Sequence, residues 1–222
     1  MIPKPDSSLP TITEMFSTSR DGAATGMVLA QLDATGRRRG PILWVQDRLA
    51  AREGGVPHMR GIAGTIGLDM PILRVAARDA AEALWAMEEG LGCAALSAVI
   101  GEIWGAPRAL DFTATKRLSL RSGRSGVPFW LLRADAEPSL SVAPDRWRVT
   151  SVPSHPNVLD SRAAGRARWQ ADLFRSRGSR PGIWVAEHDR AAHRLDLVAP
   201  LRDGTMGEGA GNRPASRPRA VG

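Results

Sequence analysis

The chain has 222 residues, 43% of them hydrophobic and 24% charged, and its 30 basic groups outnumber 23 acidic ones for a formal net charge of +7. That composition excludes a wholly disordered chain, and the absence of any run of about 18 apolar residues excludes a transmembrane helix. A lone cysteine, Cys93, excludes a disulfide framework and a cysteine-based zinc site, so a cytoplasmic protein is the expectation.

Residues 1–10 (MIPKPDSSLP) hold three prolines and no apolar stretch of the signal-peptide kind, and read as a flexible arm. Residues 41–46 (PILWVQ) read as a buried strand, preceded by a turn carrying Arg37, Arg38 and Arg39. Residues 72–77 (ILRVAA) read as a second. The clearest helix is 79–91 (DAAEALWAMEEGL). Asp79 stands at its N-cap, Glu82 three residues on completes a capping box, and Leu84, Met87 and Leu91 recur at helical spacing. Gly90 and Gly92 supply the stop. Residues 94–100 (AALSAVI) read as a third buried strand, which puts Cys93 at the edge of the core. A helix over 113–121, capped by Thr113, and a fourth strand at 127–132 (VPFWLL) follow.

Continuous apolar strands alternating with helices predict a parallel sheet covered on both faces. After Pro144 the pattern changes. Residues 147–152, 168–175 and 182–187 read as antiparallel strands, with 177–181 (RGSRP) as the turn between the last two and 195–198 as one more short strand. The fold class is therefore α/β, a mostly parallel sheet flanked by helices with an antiparallel strand extension at the C-terminal end. The folded domain is 11–201. Residues 202–222, rich in Gly, Pro and Arg, bury too little to offset the entropy of ordering and read as a disordered tail.

Few constellations carry chemistry. His58, His155, His188 and His193 show no metal-ligand spacing, so no metal site is expected. There is no G-x-S-x-G elbow, and 64–67 (GTIG) is too short for a dinucleotide loop. Of the seven tryptophans, Trp44, Trp104, Trp130 and Trp184 fall on or beside strands, while Trp85 is placed to be half-exposed, as an interface anchor would be. The charge is uneven: residues 58–110 carry four arginines and six acids, residues 160–222 twelve arginines and seven acids. That basic third suits an acidic partner such as nucleic acid, or forms a solvated face and tail.

Four stretches resemble the ImuA family, RecA-like accessory proteins of bacterial SOS and translesion mutagenesis. They are PILWVQD (41–47), RDAAEALWAMEEGLGCAALSAVIGEI (78–103), LDFTATKRLSLRSGRSGVPFWLLR (110–133) and RWQADLFRSRGSRPGIWVAEHD (168–189). Together they span roughly residues 40–198. The ALWAMEEGL helix with its following strand, and the R-SRG-RPG-W hairpin, make the specific pair. The resemblance implies a degenerate RecA-like domain. It sets Asp47 where RecA-like ATPases carry a catalytic carboxylate, and Glu102 where they carry the acid that helps hold magnesium. Both are vestigial candidates.

A phosphate loop needs G-x-x-x-x-G-K-[ST], so that backbone N–H groups and one lysine cradle the phosphates. The segment in its place, 19–32, reads SRDGAATGMVLAQL. Gly22 and Gly26 are present, but Met27 and Val28 stand where the lysine and hydroxyl should be. No lysine occurs between Lys4 and Lys116, and Asp21 brings the wrong sign. The expectation is a retained fold without nucleotide chemistry: no catalytic residue, no cofactor, no enzyme.

The resemblance then implies an adaptor of error-prone translesion synthesis. Its partners are an ImuB-like Y-family polymerase homologue, an error-prone DNA polymerase and RecA, and no membrane. Two alternatives stand beside it. One is weak single-stranded DNA binding through Arg121 and Arg124, which flank the loop RSGRSG, and Arg175, Arg177 and Arg180 on the hairpin; the same five arginines equally suit a solvated face or a docking face for an acidic protein surface. The other is a RecA-like ATPase with an atypical site near residues 22–26.

Overall fold

The computed structural model describes residues 12–34, 40–66 and 71–200. In chain order the elements are β1 (Ile12–Ser17), α1 (Ala23–Ala34), β2 (Ile42–Asp47), α2 (Arg48–Glu53), α3 (Met59–Ile66), β3 (Ile72–Ala77), α4 (Ala80–Leu91), β4 (Ala98–Trp104), α5 (Phe112–Ser125), β5 (Phe129–Ala134), β6 (Asp145–Val152), β7 (Arg168–Arg175), β8 (Gly182–Asp189) and β9 (Arg194–Pro200). They form one nine-stranded sheet in the order β3-β2-β4-β5-β1-β6-β7-β8-β9. The pairs from β3 through β6 are parallel, and β6 to β9 are antiparallel. This is the α/β architecture expected: a parallel core flanked by helices, extended by antiparallel strands.

Both faces of the parallel core are covered. On one, α1 packs on Met15, Trp44, Trp130, Trp147 and Trp169. On the other, α4 and α5 bury Val45, Leu84, Met87, Val99, Leu118 and Phe129. β2 is buried along its whole length because it lies inside the sheet with a layer on each side.

Several local readings shift. β1 carries no turn signal that isolates it, yet it lies inside the parallel part, between β5 and β6, and β6 is the strand that joins the parallel and antiparallel parts. β3 pairs only with β2 among the described strands, so it is an edge strand, with Leu73 50% exposed, rather than a buried one. The strand placed at 94–100 begins later, at Ala98, and Cys93 sits exposed in the preceding turn instead of in the core. Asp79 caps α4 by accepting from Glu82 N at 2.9 Å, but the Glu82 carboxylate takes the N–H of Arg78, not of Asp79, so the box closes one residue early. Gly90 lies inside α4 instead of stopping it. A Cβ there would collide with Leu43, so this glycine lets the helix lie close on β2.

The α5 cap is Asp111, not Thr113: its carboxylate accepts from Ala114 N at 2.7 Å. The helix also runs through the RSGRSG segment to Gly126, which takes the left-handed conformation (φ 74°) that ends it. The arm at 1–10, the run of Arg37, Arg38 and Arg39, Gly67 and the tail at 202–222 lie outside the described residues.

Candidate functional site

At the carboxyl edge of β1, β2 and β4 lies a cavity of about 300 Å³, on the α1 side of the sheet. This is where an open α/β sheet places its ligands. The turn from β1 into α1, residues 18–22, forms one wall, and residues 54–57 form another. Trp44, Gln46 and Glu102 also line it.

Trp44 and Gln46 alternate along β2, so they share a sheet face, and Glu102 is the neighbour of Gln46 across the β2–β4 register. Glu102 Oε1 accepts from Trp44 Nε1 at 3.0 Å, and Oε2 accepts from Gln46 Nε2 at 2.6 Å. Gln46 Oε1 in turn accepts from Arg74 Nε at 3.1 Å. Burial pushes the Glu102 carboxyl above the ordinary range and Asp47 adds to this, against the hydrogen bonds and Arg74, which pull it down. The result is a carboxyl held in a fixed polar frame at the back of the cavity. Asp47 ends β2 as expected, but its carboxylate is spent as the cap of α2, accepting from Ala50 N at 2.6 Å, and it does not line the cavity.

The β1–α1 turn decides what the cavity can hold. Residues 18–22 are all that connect strand to helix. A phosphate loop would open this helix with G-K-[ST], but here Gly22 is followed by Ala23 and Ala24, so no lysine or hydroxyl enters the helix end. Asp21 sits at the helix entrance and accepts the N–H of Ala23, the first residue of α1, at 3.0 Å. It also takes Ser151 Oγ at 2.6 Å and Ser151 N at 2.8 Å. Partial burial would raise its pKa, but the Ser151 and Ala23 hydrogen bonds outweigh that and hold it below the ordinary carboxylate range. A fixed negative charge thus occupies the helix end that would attract a phosphate. Gly26, the second glycine of the would-be loop, is one turn inside α1. A Cβ there would lie 2.7 Å from Trp169 Cζ2, so Gly26 admits a tryptophan rather than an anion.

The outer wall is tied by Asp135, whose carboxylate accepts from Ser19 N at 3.1 Å and from Trp104 Nε1 at 3.2 Å. Its backbone is left-handed (φ 49°). The partners Trp44, Gln46 and Arg74 around Glu102 escaped the sequence reading. The i, i+2 spacing of Trp44 and Gln46 was their signal, and the strand order needed to use it was not visible.

The arginines fall on two elements. Arg121 and Arg124 are on α5, where Arg121 pairs with Glu89 at 3.5 Å and Arg124 is exposed in the last turn. Arg175 closes β7 and reaches the carbonyl of Ser141 at 3.4 Å. Arg177 and Arg180 are exposed on the β7–β8 turn. Ser176 braces that turn by donating to Asp145 at 2.6 Å while accepting from Gly178 N and Ser179 N. The hairpin therefore carries Arg175, Arg177 and Arg180, and the other two lie on a different element, α5.

Among the described residues no group of three or more His, Cys, Asp or Glu side chains could hold a metal ion. No helix among them is long and apolar enough to cross a membrane. No family model matches the chain. It is similar to the Protein ImuA of Caulobacter vibrioides, in each of two strains 32% identical over 200 residues, which takes in 82% of this chain and 76% of the relative.

Proposed function

The chain belongs to the ImuA family, and on that footing we propose that it is a non-catalytic accessory protein of damage-induced, error-prone translesion DNA synthesis. It assembles with an ImuB-like Y-family protein and an error-prone polymerase, and contacts RecA through its RecA-like surface. The observation that supports a role without nucleotide turnover is the β1–α1 turn. It has no lysine, and Asp21 already fills the helix end where a phosphate would bind. Asp47 and Glu102 are then remnants, one a helix cap and the other a carboxyl locked to Trp44 and Gln46.

Co-purification with the ImuB-like protein of the same genome tests this reading, with the full chain and with a version ending at residue 201. A complex at low and moderate salt is expected. Its loss on truncation alone would make the arginine-rich tail the docking segment, and no complex with the full chain would overturn the adaptor.

The β7–β8 hairpin favours one second reading. Arg177 and Arg180 stand exposed on a braced turn, with no acidic side chain paired to either among the described residues. They suit weak, salt-dependent contact with single-stranded DNA phosphates. The RSRGSRP turn itself carries no aromatic side chain to stack bases.

A further inference from the structure

The outward side of α5 repeats one pattern. Phe112, Lys116, Leu120 and Arg124 follow one another at i, i+4 spacing, so they form a single row down the helix. All four face solvent: Phe112 is 42% and Leu120 51% exposed, and Lys116 and Arg124 are exposed too. The neighbouring α4 adds Trp85, 64% exposed and the most exposed of the seven tryptophans.

The charges on this layer do not cancel. The α5 sequence holds Lys116, Arg117, Arg121 and Arg124 and no acid. Arg117 bonds Glu88 at 2.8 Å and Arg121 bonds Glu89 at 3.5 Å, which fastens α5 to α4. Lys116 and Arg124 have no ion-pair partner among the described residues and stand between or beside the apolar groups.

We propose that this row is the docking site for an acidic amphipathic segment of a partner protein, with apolar residues one helical turn apart on one side and carboxylates along its edge. The apolar groups of that segment meet Phe112, Leu120 and, across the layer, Trp85. Its carboxylates meet Lys116 and Arg124, the two cations that α4 leaves unneutralised. An apolar–basic alternation at helical pitch matches a helix laid along a helix. A nucleic acid would use the cations and have no use for an aliphatic side chain such as Leu120. The surface deepens the accessory reading above and rests on it for its biological partner, but its chemistry is testable without that partner.

The probe is a fluorescein-labelled synthetic amphipathic helix of about 20 residues with leucines at i, i+4 and glutamates beside them. The full chain is titrated against it by fluorescence anisotropy. The same peptide with lysine for glutamate and a labelled oligothymidine serve as further arms. Saturable binding of the acidic peptide alone is expected. It should weaken about tenfold or more in Lys116→Glu/Arg124→Glu and in Phe112→Ala/Leu120→Ala, and stay unchanged in Arg175→Glu/Arg177→Glu/Arg180→Glu. The substituted side chains are exposed, and circular dichroism checks that each variant is folded. No saturable binding overturns the proposal, as does equal binding of the basic peptide or indifference to the α5 substitutions. Oligothymidine binding lost on the same α5 substitutions would make the row a nucleic-acid contact and also overturns it. A negative result leaves the adaptor standing if the ImuB-like protein still co-purifies through another surface.

Discussion

Asp21 and Glu102 line one cavity and are shifted in opposite directions from the ordinary carboxyl range, which makes them separable by pH. Asp21 is held below the ordinary carboxylate range by Ser151 and Ala23. Its contribution is therefore complete above that range and is lost as pH falls through its lowered value. Asp21→Asn should flatten the acid limb of a stability-against-pH curve measured by urea unfolding. Glu102 is raised above its ordinary value of 4.5 by burial. There the folded state holds the proton more tightly, so stability falls as pH rises from that value through the raised one. Glu102→Gln should remove this fall, and an unaltered slope would show that the frame around Glu102 does not bury it. On the other face of the sheet, Glu14 bonds Arg146 at 2.7 Å with both side chains almost wholly buried. Arg133, 1% exposed, lies in the same charge cluster and donates to the carbonyl of Gly105 at 3.0 Å. Phe16 stacks under both guanidinium groups, at 5.6 Å from Arg133 and 5.2 Å from Arg146. Glu14→Ala strands two buried cations and should cost about 3–5 kcal/mol in urea unfolding. The sign of Asp21 was legible in the sequence. The Glu14–Arg146 pair was not, because its members are 132 residues apart and only the β1–β6 pairing joins them.

Where an element carried its own punctuation, its sequence located it. β7 is where alternation put it, and Asp79 caps α4 as its position before the apolar run required. The misses share a cause. α5 runs on through RSGRSG as far as Ser125 because Leu118 and Ser122 are buried, and that tertiary gain outweighs the glycine in its last turn. β1 lacked bounding turn residues, and its identity comes from its partners β5 and β6. Two substitutions test the element scale. Asp111→Ala removes the α5 cap and should lower stability by about 1 kcal/mol, read as a shift in the urea midpoint without a change in slope. Gly26→Leu drives a side chain into Trp169 and should cost about 1–3 kcal/mol by overpacking. A neutral result would show that α1 and β7 are not packed as closely as this geometry requires.

At the scale of the whole molecule, the class was legible and the strand order was not. Alternating apolar strands and helices, then amphipathic strands alone, specify a parallel part and an antiparallel part. Nothing local says that β1 lies between β5 and β6 or that β3 ends the sheet. The same gap hid the cavity, since its walls come from β1, β2 and β4 and meet only once the order is known. That geometry supports the proposed function: a parallel sheet edge with its helix entrance closed by a carboxylate, and basic side chains displayed on α5 and on the β7–β8 hairpin. If the hairpin contacts phosphates, reversing Arg175, Arg177 and Arg180 to glutamate should weaken single-strand binding and flatten its dependence on salt. An unchanged salt slope would remove those residues from any DNA contact.

In the function proposed above, this chain assembles with its partner without using nucleotide. The most direct measurement is the affinity of the full chain for the ImuB-like protein, in nucleotide-free buffer and again with magnesium and ATP. The same dissociation constant is expected in both, with no saturable ATP binding by the chain alone. A complex that forms only with ATP, or a saturable ATP site abolished by filling the cavity beside Glu102, would contradict it.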